Sequence, residues 1–325
     1  PGIASYNLII SKANPQISSD GIINAVWGDK SEKIISVSFN NEDVASNIKP
    51  PVSFTSKDPS VVSIDNTGKI KMVKPGSTLI EVRSEETEQF LQSSAIVTYV
   101  LDKGRRNITF KNSDVKMTVD EKFSLQTPEL NNITTSSKIW RSSNPKVIEI
   151  NQDGSLPSNK ETPNDAGYSE ISLIIPSDEY YHEERSSYNL HVYGQPAINI
   201  GKISYVGNAQ VQNNGRWTPV YADDVITINW SVETSNEYKK PKKASIFFKD
   251  AANGADIYKK EILHINGINV TELHANASLL GKKIKVVLVA EGELNLKSEL
   301  EDKNEINVYE LMPHEIWQNA TITTE

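Results

Sequence analysis

Apolar and polar residues alternate along most of this chain in short runs: Tyr6, Leu8, Ile10; Ile35, Val37, Phe39; Val97, Tyr99, Leu101; Ile226, Ile228, Trp230; Ile284, Val286, Leu288. A period of two turns one set of side chains toward a core and the other toward water, which predicts β-strands. Between the runs stand Gly, Pro, Asn, Asp and Ser, the residues that supply turn geometry. Almost nowhere does a helical period persist. Short strands with turn signals at close intervals predict an all-β chain of sandwiches or barrels.

An internal repeat decides between these. The run Tyr6, Leu8, Ile10 recurs as Val97, Tyr99, Leu101 and again as Tyr188, Leu190, Val192, at steps of 91 residues (97 − 6 and 188 − 97). Ile17 and Ile108 keep this spacing, while the third unit has Asn199 at the expected place, between Ile198 and Ile200. Phe54, Ser56, Pro59, Val61, Ile64 and Gly68 align with Trp140, Ser142, Pro145, Val147, Ile150 and Gly154 at an offset of 86 (140 − 54). Gly76, Ile80, Val82 and Phe90 then answer to Gly167, Ile171, Leu173 and Tyr181, back at 91 (167 − 76). The five extra residues fall between Gly154 and Gly167, in a polar stretch that reads as a longer loop. A period near 90 suits a whole sandwich domain. The expected architecture is therefore all-β: tandem immunoglobulin-like β-sandwich domains arranged end to end as a rod. Residues 1–13 read as the last strand of a preceding domain plus a linker. Full units follow at 14–104 and 105–195, and a divergent distal domain with a C-terminal extension at 196–325. The joints Ser11-Lys12-Ala13 and Asp102-Lys103-Gly104 are short and polar, which limits the freedom between neighbours.

Composition narrows the function classes. The chain has 325 residues, 37% of them hydrophobic, and a net charge of -8. An acidic balance argues against a nucleic-acid partner, because phosphate binding needs a basic face. There is no cysteine, which removes disulfides, thiolate zinc sites and cysteine nucleophiles together. No apolar run approaches the roughly 20 residues of a membrane helix. The chain opens at Pro1 rather than Met, and is expected to be a fragment with its export signal and anchor elsewhere.

Candidate chemistry is sparse. His182, His191, His264, His274 and His314 form no i, i+2 or i, i+4 pair of the kind compact metal or nucleophile motifs use. Asp223-Asp224, Glu85-Glu86, Glu183-Glu184 and Glu291/Glu293 read as solvated turn residues. A calcium site pooled from two loops at a joint is the functional alternative. No catalytic residue, cofactor or metal is assigned. The run Lys239, Lys240, Pro241, Lys242, Lys243 reads as a solvated hairpin loop, with a patch for sulfated glycans or acidic headgroups as the sharper reading. Trp140 and Trp230 are core candidates, and Trp27, just before the Gly28-Asp29 turn, is a candidate cover for a joint. Trp217 lies in the Asn213–Tyr221 stretch, with Arg216 and Tyr221 beside it, and reads either as an exposed loop residue or as a half-buried tryptophan at a strand edge; Trp317 lies beyond the last expected strand.

The segment FTSKDPSVVSIDNTGKIKMVKPGSTLIEV resembles the bacterial Ig-like group-2 domain: an aromatic, Ser, Asx-Pro, a valine-rich strand, a Gly turn and a Pro-Gly turn. WRSSNPKVIEINQDG with AGYSEISLII follows the same outline without the Pro-Gly pair. The joint ASYNLIISKANPQIS, together with VGNAQV and LLGKKIKVVLVAEG of the third domain, resembles the passengers of intimin/invasin-type inverse autotransporters. That resemblance implies a passenger segment on the bacterial cell surface, outside the outer membrane and held there by a missing β-barrel. It also implies a distal domain contacting a host-cell protein or glycan. Intimin and invasin end in a lectin-like domain with a cysteine pair, which this chain lacks, so no receptor is carried over. The expected function is attachment by a non-enzymatic, monomeric adhesin segment. The binding candidates are Arg216, Trp217, Tyr221, Lys239, Lys240, Lys242, Lys243 and Trp317. The alternatives are a structural stalk or biofilm scaffold, and an accessory carbohydrate-binding module of a secreted enzyme.

Overall fold

The structure is a computed structural model. It describes residues 5–39, 49–131, 137–158, 160–206, 217–221, 225–232, 235–262, 265, 267–303 and 305–309; of 202–206, 217–221 and 309 it describes the backbone alone. The described chain is all-β, broken only by short 3-10 turns. Two compact units can be separated. One holds Pro1–Lys111, Gln126–Ile139 and Leu173–Ser186, and the other Asn112–Leu125, Trp140–Ser172 and Ser187–Glu325.

The first sandwich contains β1 (Ile17–Ser19), β2 (Ile22–Val26), β3 (Lys33–Ile34), β4 (Val37–Phe39), β5 (Val52–Ser56), β6 (Val62–Ile64), β7 (Lys69–Met72), β8 (Gly76–Ser84) and β9 (Ser93–Asp102). They form sheets β1-β4, β2-β9-β8-β5 and β3-β7-β6. The second contributes β10 (Asn107–Thr109), β11 (Asp114–Thr118), β12 (Glu129–Asn131), β13 (Ile139–Ser142), β14 (Gly167–Ile175) and β15 (Glu184–Tyr193), ordered β10-β12 and β11-β15-β14-β13. The third has β16 (Ile198–Val206), β17 (Trp217–Tyr221), β18 (Val225–Val232), β19 (Lys243–Asp250), β20 (Asp256–Ile262), β21 (Ile268–His274), β22 (Lys283–Glu291), β23 (Lys297–Glu301) and β24 (Glu305–Tyr309). Its sheets run β16-β18-β21 and β17-β24-β22-β19-β20, with β23 also on β22.

One device recurs in all three. The opening strand pairs antiparallel with a following one (β1 with β4, β10 with β12, β16 with β18). The next strand then changes sheet and runs parallel to the last strand: β2 with β9, β11 with β15, β17 with β24. Pairing the second strand with the last ties the beginning and the end of each sandwich into one ladder. The divergent third domain keeps this device although its sequence has left the repeat.

The cores follow the period-two reading. Strand β18 alternates without a break, with Ile226, Ile228, Trp230 and Val232 inward. Trp230 donates its indole N–H to Thr271 Oγ1 at 3.1 Å, which satisfies a buried donor. Ile80, Val82, Val97 and Tyr99 are fully buried in the first sandwich. Each such side chain contributes roughly 1.5–3 kcal/mol. The run Tyr6 to Ile10 departs from expectation. It forms no strand in the described structure, and its Tyr6, Leu8, Ile9 and Ile10 are 79–90% exposed. Period two creates an apolar face, but without a partner that face builds no ladder.

Two aligned glycines have different reasons. Gly154 is left-handed, at φ 90, and a Cβ there would lie 2.8 Å from Trp140 Cδ1, so turn geometry and aromatic packing both require glycine. Its repeat mate Gly68, at φ 80, stands likewise under Phe54. Gly167 is the first residue of β14, and no positive φ is needed. Space is the requirement there, since a Cβ would lie 2.6 Å from Val147 Cγ2.

Gly154→Ala adds backbone strain to a steric clash, and should destabilise the chain by about 2–3 kcal/mol in denaturant unfolding. Alanine at the exposed, open Gly21, where nothing stands within 4 Å of a Cβ, should cost much less.

Candidate functional site

Two short connections are held by the same main-chain bridge. Ala13 donates its amide to Gln89 O at 2.9 Å, and Leu91 N donates to Ala13 O at 2.8 Å. Gly104 donates to Tyr180 O at 2.9 Å, and His182 N to Gly104 O at 3.0 Å. Every member of the second set lies 91 residues beyond its counterpart (104 − 13, 180 − 89, 182 − 91). A lysine latch beside each bridge keeps the spacing too. Lys12 pairs with Glu86 at 2.6 Å, and Lys103 donates to Ser177 Oγ at 3.1 Å and to Asp178 O at 2.6 Å. In both places the loop before the last strand clips the linker that enters its own sandwich.

The second clip is more elaborate. The Arg106 side chain has no exposed surface; it pairs with the Asp178 carboxylate and donates to Pro176 O at 2.8 Å and His182 O at 3.2 Å. Its guanidinium lies 5.0 Å from the Tyr181 ring centre. Burial pushes the Asp178 pKa up, but the Tyr180 and Tyr181 amides and the Arg106 charge outweigh it, so the carboxyl titrates below the ordinary range. Trp27 stacks on Tyr180 at 4.9 Å and anchors its own amide on Asp102 O at 2.9 Å, while Lys74 pairs with Glu179. Gly104 has no room for a side chain, because a Cβ would lie 2.6 Å from Trp27 O. Sequence reasoning placed Trp27 at a joint and aligned Phe90 with Tyr181, but missed Arg106 and Asp178. The signal for them was the polar run around the repeated aromatic.

A third connection departs from the pattern. Gly194 donates to Tyr238 O at 3.0 Å, and Lys239 pairs with Asp165 at 2.7 Å. The Tyr238 hydroxyl is 3.3 Å from His191 Nδ1, its ring is 5.4 Å from that of Tyr193, and Asp114 lies 3.5 Å from His191 Nε2.

The sequence-derived binding candidates fare as follows. Lys239–Lys243 is no hairpin loop: it follows β18 in one sheet and enters β19 in the other, so it is a crossover. Lys239 ends a 3-10 turn and Lys243 begins β19. Three of its four lysines have an anionic partner: Lys239 on Asp165, Lys242 on Glu293 at 2.9 Å and Lys243 on Glu291 at 3.0 Å. Lys240 is exposed. Trp217 and Tyr221 lie in an edge strand, the second of the two readings for Trp217, because Trp217–Tyr221 extends in parallel along Glu305–Tyr309. Arg216 and Trp317 lie outside the described residues, as do His264 and His314 and the pair Asp223-Asp224. Among the described residues no three His, Cys, Asp or Glu side chains converge as metal ligands.

These features define a class: an all-β protein of tandem immunoglobulin-like sandwiches. No protein-family model matches the chain, and no curated protein matches it in sequence. Among solved structures it is similar to Drosophila N-cadherin EC1-4 (9% identity, 92% of this chain and 75% of that one, TM-score 0.36). It is also similar to the N-terminal four Ig domains of Dscam1 (10%, 93% and 74%, 0.30) and to a segment of titin (10%, 91% and 99%, 0.33).

Asp178→Ala leaves Arg106 buried without its anion and should cost about 3 kcal/mol in urea unfolding. The pH dependence follows from the lowered pKa of Asp178. Its stabilisation is complete above the unfolded Asp value of about 3.9 and is lost as pH falls through the lower folded value. In Asp178→Asn that acid-side loss should shrink.

Proposed function

We propose that this chain is an extracellular passenger segment of a bacterial surface adhesin of the intimin/invasin type. In this reading the clipped sandwiches stiffen the path from a β-barrel anchor to the third sandwich, which contacts a host-cell protein or glycan. The observation that carries it is the clip repeated at 91 residues, from Ala13–Gln89 to Gly104–Tyr180. Evolution of a catalytic site does not call for a repeated linker clip; transmission of position or force along a chain does. Main-chain hydrogen bonds suit that role, because they resist shear without needing particular side chains. Stiff linkers also hold a contact surface at a set distance, where a flexible one would spread it over a volume. Trp217 and Tyr221 of strand β17, with Arg216 and Trp317, remain the proposed contact residues.

A second reading, a stalk or biofilm scaffold with no ligand site of its own, draws support from the lysine pairing. Lys239, Lys242 and Lys243 are engaged with Asp165, Glu293 and Glu291, which removes most of the free positive charge that a sulfated glycan would need.

Binding of the labelled full chain to epithelial cells separates the two. Under the adhesin reading it saturates, and Trp217→Ala or Trp317→Ala weakens it by about tenfold, as loss of a buried aromatic anchor does, with the melting temperature nearly unchanged. Absence of saturable binding at any concentration would leave the stalk reading.

A further inference from the structure

The third connection places an imidazole where the first two place a lysine. Near the end of β15, Leu190 and Val192 turn into the core, which sets His191 on the opposite face. His191 Nε2 stands 3.5 Å from a carboxylate oxygen of Asp114 on β11, and its Nδ1 is 3.3 Å from the Tyr238 hydroxyl. The rings of Tyr168 and Tyr238 lie 5.4 and 6.0 Å from its own. The fold does not require this set. One repeat earlier, His191 and Asn189 correspond to Val100 and Thr98 (191 − 100 and 189 − 98). Asp114 stands opposite Asn189, whereas the residue opposite Thr98 is Ile22. The first sandwich therefore has no titratable group at either place.

What the imidazole reaches is a turn that forms without it. Asn236 caps the 3-10 turn Glu237–Lys239, accepting the Tyr238 amide on its side-chain oxygen at 2.9 Å and the Lys239 amide on its main-chain oxygen at 3.0 Å. Docking of the turn is a separate matter, and it rests on few groups. Gly194 N donates to Tyr238 O at 3.0 Å, Lys239 pairs with Asp165 at 2.7 Å, and Tyr238 meets His191 and Tyr193. Gly194 is packed closely under the turn, since a Cβ there would lie 3.1 Å from Lys239 Cε. Its amide therefore reports whether the turn is docked.

We propose that His191 is a proton-sensitive latch, which holds the Glu237–Lys239 turn more tightly when its imidazole is charged. A neutral ring has one donor and one acceptor, so Nε2–H faces Asp114 while Nδ1 accepts from the Tyr238 hydroxyl. On protonation both nitrogens donate, to the carboxylate and to the Tyr238 oxygen. Charge-assisted bonds are shorter and about twice as strong as neutral ones, and separations of 3.5 and 3.3 Å leave both room to shorten. The two partners keep their own states meanwhile. Hydrogen bonds from Asn189 and Ser113 hold the Asp114 carboxyl below the ordinary aspartate range, and burial pushes the Tyr238 hydroxyl up. Imidazole is the side chain whose charge ordinarily changes between about pH 5 and 8. Among the other groups around it, Tyr168 and Tyr193 are phenols, and Lys239 is engaged with Asp165. Lys116, opposite His191 on β11, acts against the charged ring, while Glu237 adds negative charge near the Tyr238 hydroxyl. Because the charged form gains the stronger bonds, the latch is complete at the acid end and is lost as pH rises through the imidazole titration. The inference stands apart from the adhesin reading, since a chain that binds no cell still has this turn.

The test is amide hydrogen exchange at Gly194 in the full chain from about pH 5 to pH 8, expressed against an unstructured amide at each pH, with the His191 ring followed by NMR. Protection of Gly194 should be about fivefold greater at the acid end, the size of a partly exposed charge pair. It should fall along the same curve as the His191 ring loses its proton. Tyr238→Phe keeps the ring and removes the hydroxyl, so His191 should still titrate while the protection no longer follows it. His191→Gln should also flatten the dependence, with Asp114→Asn as the second variant where the glutamine chain folds poorly. His182→Gln, beside Asp102 at the other joint, should leave it as it was. Protection that is equal at both ends of the range overturns the proposal. So does a pH dependence that persists in Tyr238→Phe, or one that disappears in His182→Gln.

Discussion

The bridge between each linker and the loop before the last strand is the constraint on which the rest of the described structure leans. A linker of three residues has few ways to fix the strands on either side of it, because its own side chains bury nothing. Two main-chain bonds at one residue remove that freedom directly, at Ala13 and again at Gly104. The residues around each bridge make sense only in its service. Gly104 is glycine because Trp27 O and the Tyr181 ring close over its Cα. Arg106 is buried because the bridge carries it under the loop, where the Pro176 and His182 carbonyls and the Asp178 carboxylate wait. An isolated buried guanidinium would be strongly unfavourable, so the loop conformation and the arginine are selected together.

Much of the fold was legible in the sequence, for a local reason. Period two sets the buried face of β9, β18 and β22 without reference to any partner, and the offset of 91 residues sets which strands are equivalent. The same offset pointed to Phe90 and Tyr181, which proved to be the clip residues. What was left open or misread depended on distant pairing. Trp217 to Tyr221 follows Asn213-Asn214-Gly215 and contains Pro219, so it reads locally as a turn. Its strand character comes from Glu305–Tyr309, 88 residues further on (305 − 217). Pro219 is tolerated because the strand lies at the edge of its sheet, where a missing amide need not break a ladder. Lys239–Lys243 looked like a hairpin for the same reason: nothing local distinguishes a turn within a sheet from a passage between sheets.

The candidate site was less legible than the fold. Charge runs were read as isolated features, whereas the structure treats them as halves of pairs. Lys243 and Glu291 face each other across β19 and β22, and Lys242 reaches Glu293 just beyond. The hydrogen bond from Lys243 holds the Glu291 carboxyl below the ordinary glutamate range, and that from Lys239 does the same for Asp165. Exposed pairs of this kind add little stability, each about 0–1 kcal/mol. Their consequence is for recognition: a paired lysine presents much less field to an anionic ligand than a free one.

That distribution of charge bears on how an acidic chain makes contacts at all. A surface laced with ion pairs keeps neighbouring copies apart in any orientation that presents it, because docking would strip water from every pair and replace little of it. Specific association is left to surfaces where desolvation is cheap and main-chain groups supply the directionality. In the third sandwich the six-stranded sheet is of the first kind.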